Sequence, residues 1–74
     1  MNKKRRQELS EVTTKLASLY DALSRIASAE SDALSNYPEN LEGSSQYEDS
    51  ENIAELLDDA VETLKDALDI LSGI

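Results

Sequence analysis

Aliphatic residues recur at alternating three- and four-residue steps through two long segments of the chain. The first series is Leu9, Val12, Leu16, Leu19, Leu23 and Ile26. The second is Ile53, Leu57, Ala60, Leu64, Ala67 and Leu71. This is heptad spacing, and it lays an apolar seam along each of two helices. The first helix is expected from about Asn2 to Asn36, a stretch without glycine or proline. Its stripe widens through Tyr20, Ala27 and Leu34, as in a bundle helix rather than a narrow two-stranded coiled coil. The seam weakens near Glu30 and Ala33.

Pro38 ends this helix, because the residue before a proline is driven out of the α region. Residues 37–44 then form the connection, with Gly43 as a second flexible point. Leu41 is the lone aliphatic residue there and is expected to fold back over the bundle end. The second helix runs from about residue 45 to residue 72. Ser45 and Glu48 have capping-box spacing, and Gly73 supplies a stop. A loop this short forces the helices antiparallel.

The expected fold is therefore all-α: one antiparallel helical hairpin, residues 1–74, assembling into a four-helix bundle or a larger helical oligomer. Two helices cannot enclose a core alone, and 74 residues lie near the lower limit for independent folding. Disulfides and the usual zinc ligands are excluded, because the chain holds neither cysteine nor histidine. Self-association is what remains. Leu9, Val12, Leu16, Leu19, Leu23, Ile26, Ile53, Leu57, Leu64 and Leu71 are the expected oligomer core.

Charge changes the picture on one helix only. Residues 1–38 carry six basic and five acidic side chains; residues 39–74 carry Lys65 against eleven acids. Glu55, Asp58, Asp59, Glu62, Asp66 and Asp69 recur at three- and four-residue steps and form a ridge. Such a ridge suits a partner with a basic surface and repels membranes and nucleic acid. Read more plainly, it is a solvated face that keeps a small apolar protein in solution. A continuous helix cannot wrap calcium with the six to eight oxygens it takes, so no metal site is expected.

The opposite charge gathers at Lys3, Lys4, Arg5 and Arg6, in the first turn of the first helix. Free backbone N–H groups and basic side chains there make an alternative site for a phosphorylated nucleotide. Pairing with Asp66 and Asp69 across the hairpin accounts for the same cluster without a ligand. Tyr37 and Tyr47 flank the loop, where with Leu41 they would anchor a partner or close the bundle end. Catalysis is not expected: no serine has a conventional base, and the carboxylates lie on open helix surface. No cofactor is implied. The basic start is followed by polar residues rather than an apolar signal region, and no membrane-length apolar run exists, so a cytoplasmic protein is expected.

Met1-Asn2-Lys3-Lys4-Arg5-Arg6, Asn36-Tyr37-Pro38-Glu39-Asn40-Leu41 and Gly43-Ser44 leading to Glu48 together resemble a family of small acidic proteins. These are encoded in phages and prophages of Gram-positive bacteria, and their loop runs Asn-x-Pro-Glu-x-Leu-x-Gly-Ser. The chain departs from it at Asn40, Gln46 and Tyr47, where serine, arginine or glycine is usual. The resemblance implies a non-enzymatic accessory role inside the host bacterial cell. Binding and inhibiting a host protein, as an anti-defence factor would, is the leading expectation. Sequestering a signalling nucleotide and a purely structural bundle are the alternatives.

Overall fold

The computed structural model describes all residues, Met1–Ile74. It contains two α-helices and no strand: α1, Lys3–Ser35, and α2, Ser45–Ser72, with a single 3₁₀ turn, Glu39–Leu41, between them. The helices pack against each other as a hairpin 59 Å long and about 15 Å across. Its radius of gyration is 17.2 Å, whereas a compact chain of this length would have about 11 Å. The molecule is a rod.

Each helix begins on a side-chain cap. Asn2 Oδ1 accepts from the Arg5 backbone N–H at 2.8 Å, and Ser44 Oγ accepts from the Tyr47 N–H at 3.2 Å. The α2 cap is thus Ser44, one residue before the Ser45 of the expected capping box. The Ser45–Glu48 spacing lies inside the helix and caps nothing. At the end of α1 the Asn36 side chain donates to Asp32 O at 3.0 Å. Pro38 then turns the backbone away in extended geometry, φ −58° and ψ 133°.

The seam between the helices differs from the one that apolarity alone picks out. On α1 the partly or fully buried positions include Leu9, Thr13, Leu16, Tyr20, Leu23, Ala27, Glu30 and Leu34, with Ala22 and Ser24 beside them. On α2 they include Ser50, Ala54, Leu57, Val61, Leu64, Leu68 and Leu71. Both are unbroken heptad lines, a and d in the usual lettering, with Ala27 and Ala54 at a. Leu9, Leu16, Leu23, Leu57, Leu64 and Leu71 belong to this seam; Val12, Leu19, Ile26 and Ile53 do not. Those four are 49 to 62% exposed in the hairpin.

Ala27 and Ala54 are the two most buried residues, 6 and 7% exposed. A small side chain at an a position lets two helices approach closely, and both residues lie in the α1–α2 seam. Everywhere else the larger seam residues stay half covered. A compact protein of this mass would expose about 4,500 Å². This chain exposes 5749 Å², and the excess, about 1,250 Å², is more than the ~800 Å² each partner contributes to a stable interface. The excess belongs to the outer flanks of the rod, which the hairpin leaves uncovered.

Candidate interaction surfaces

The large apolar side chains that stay exposed on the helices are not scattered. Val12, Leu19, Ile26 and Ile53 occupy heptad position g, while Leu56 and Ile70 occupy c; Ile74, just beyond α2, continues the g line. Positions c and g lie about 110° around a helix from the a/d seam. In an antiparallel pair the g positions of both helices fall on the same flank. The two stripes therefore merge into one apolar face on the hairpin. Small residues fill its gaps: Ala22, Ala29 and Ala33 on α1, Ala60 and Ala67 on α2.

The acidic ridge occupies the b, e and f positions of α2, turned away from that face. Glu55, Asp58, Asp59, Glu62, Asp66 and Asp69 are all exposed. No three carboxylates converge in a way that could hold a metal ion. The ridge is a row of separate charges along an open helix, suited to a long basic surface rather than to one small ligand.

At the loop end the structure brings Tyr37 and Tyr47 together. Their rings meet edge to face with centroids 5.2 Å apart and planes at 69°, a favoured aromatic arrangement. The Tyr37 hydroxyl reaches Gln46 Oε1 at 3.5 Å, a long contact. Both rings are half-buried, so much of their surface serves to close the hairpin. Leu41 does not fold back over the end: it sits in the 3₁₀ turn, 44% exposed. The turn is tied to itself by Leu41 N–H donating to Pro38 O at 2.9 Å, which holds the side chain outward. Tyr37 and Tyr47 thus pair at the loop, with Leu41 exposed in the turn between them. Asp66 lies nineteen residues beyond Tyr47, about 28 Å along the helix. The acids and the loop cluster make a strip, not a pocket.

The basic tip gains little structure for a nucleotide. Lys3, Lys4, Arg5 and Arg6 are exposed, and Asn2 already takes one of the backbone N–H groups an anion would use. Only Arg6 borders the open cleft at this end, of about 260 Å³, whose other walls are Leu9, Ser10, Thr13, Thr14, Leu71 and Ile74. The hydroxyls of Thr13 and Thr14 donate back to Leu9 O and Ser10 O at 2.8 and 3.0 Å. Those hydrogens are therefore not offered to a phosphate.

No helix is long and apolar enough to cross a membrane. Two features escape a reading by apolarity: the Asn2 cap, and the a line through Thr13, Tyr20, Ala27 and Leu34. The signal for the a line was its own seven-residue repeat beside Leu9, Leu16 and Leu23, and the signal for the cap was an asparagine just ahead of the first turn. No protein-family model, curated protein or solved structure matches this chain.

Proposed function

We propose that this protein is a non-enzymatic binding protein that acts stoichiometrically, as an assembly of hairpins bearing acidic ridges on the outside. The observation that carries this reading is the separation of surfaces on one rod. An apolar face lies on one flank, and a row of carboxylates broken only by Lys65 lies on another. The apolar face is suited to assembly and the ridge to a partner with a basic surface. In the phage setting that the loop motif implies, that partner is a host protein, a defence component, inhibited by occupancy of its basic surface. Tyr37, Leu41 and Tyr47 extend the contact at the loop end.

The test replaces Asp58, Asp59 and Asp66 with Asn and Glu62 with Gln in one variant. Wild type and variant are compared for proteins captured from a host lysate, and helicity is followed by circular dichroism. The reading expects equal helicity and loss of the captured partner in the variant. An equally strong capture by the neutralised chain would refute it. The nucleotide reading draws less support, since three of the four basic residues stand outside the only cleft.

A further inference from the structure

We infer that the apolar c/g face is covered by a second copy of this chain, stacked with its loop end over the first copy's basic tip. The inference rests on and deepens the proposed reading, which gives the apolar face to assembly but not the arrangement of the chains upon it. Three observations carry it: the angle between the two seams, the distribution of charge along the rod and the spacing of residues within the face.

Every large exposed apolar residue of α1 and α2 falls on the c/g lines, about 110° from the a/d seam. In a square four-helix bundle each helix meets two neighbours at about 90°. One seam thus serves the helix of the same chain and the other a helix of the second copy. The excess exposed area matches what such an interface needs.

Charge selects the occupant and its direction. Within the central part of the face, between Lys15 and Asp49 on their respective helices, no c or g position is charged. The b, e and f positions of α2 are so acidic that two copies cannot meet there without strong repulsion. Along the rod, residues 39–51 hold five acids and no base, while residues 3–6 are all basic. Stacking loop on loop would oppose five acids with five acids. Stacking loop on tip sets each acidic end beside Lys3, Lys4, Arg5 and Arg6, an end that also holds Glu8, Asp69 and the terminal carboxylate but is far less negative than a second loop.

The residue spacing fits the same two-fold axis. Val12 and Ile26 lie seven residues on either side of Leu19. An axis perpendicular to the rod at Leu19 sets Leu19 against its own copy and Val12 against Ile26 of the second chain. With Ala27 level with Ala54, that axis crosses α2 near Val61 and Glu62. It then sets Ile53 opposite Ile70 and Leu56 opposite the small Ala67. Three of these pairs join two aliphatic side chains across the axis and the fourth sets Leu56 on a small residue, so no apolar position of the face meets a charge.

The chain has no cysteine, so engineered thiols report orientation without background. Met1→Cys and Asn40→Cys place one thiol at each end of the rod, at exposed positions outside the helices. Under mild oxidation an equimolar mixture is expected to give mainly the mixed disulfide, identified by its mass, while each variant alone stays largely reduced. A strong homodisulfide of Asn40→Cys alone would show loops on loops and overturn the orientation. Absence of any interchain disulfide would overturn the pairing. Leu19→Glu adds an independent arm: burying a charge on the two-fold is expected to weaken self-association by at least about 100-fold. An unchanged dissociation constant would place the interface elsewhere. None of these readouts involves a captured partner, so their failure is separable from failure of the acidic-ridge reading.

Discussion

Single residues carry the ends of this fold. Ser44 rather than Ser45 caps α2, because its hydroxyl is the one that reaches the Tyr47 N–H. Ser44→Ala is expected to cost about 1 kcal/mol in urea denaturation followed by circular dichroism, and Ser45→Ala only a few tenths. Equal losses would contradict the assignment. Two adjacent serines ahead of acidic residues fit a cap equally well as sequence, and only the turn geometry at Gly43 separates them. Gly43 itself does not adopt positive φ, and a Cβ placed there meets nothing within 4 Å. Gly43→Ala is therefore expected to stabilise the protein by about 0.4–1 kcal/mol, by restricting the unfolded chain. A loss of stability would mean that the loop needs glycine's freedom. Ser24 is unresolved in this picture: its hydroxyl is buried without a partner, and nothing in the hairpin explains it.

For the helices, the lesson lies in which stripe faces inward. The existence of two helices and the break at Pro38 were legible, because both follow from local rules about spacing and backbone. The a line was legible only as a widening of the stripe through Tyr20, Ala27 and Leu34; that it faces inward was not, because Thr13, Tyr20 and Ala27 are less apolar than Val12, Leu19 and Ile26 one residue earlier. Ranking by hydrophobicity merges two seams into one when a helix has two neighbours. The hairpin sorts them, since antiparallel pairing can bury only one set at a time. Glu30 occupies a d position and is half-buried in this seam. Glu30→Leu is expected to raise stability by about 1–2 kcal/mol, measured as a higher urea midpoint with unchanged slope. No gain would mean that the seam has already diverged at Glu30.

Across the whole molecule, the rod is a set of flanks with different solvents. The a/d seam faces its own chain, the c/g face is suited to a second chain, and the b/e/f ridge is left to water or a basic partner. The acidic ridge was legible from spacing alone. Its separation from the apolar face was not, because that depends on how the two helices are turned about their axes. Leu41 shows the same limit: an isolated aliphatic residue in a loop is expected to be covered, yet the 3₁₀ turn holds it outward. A second chain stacked loop over tip would also bring Leu41 near that chain's open end.

The most direct measurement is sedimentation equilibrium of the unmodified protein over a micromolar concentration range at physiological salt. A hairpin that completes its core with another copy gives a mass of two chains, or an even multiple, each chain being 8.1 kDa. A stable, helical particle of one chain's mass throughout that range would contradict it.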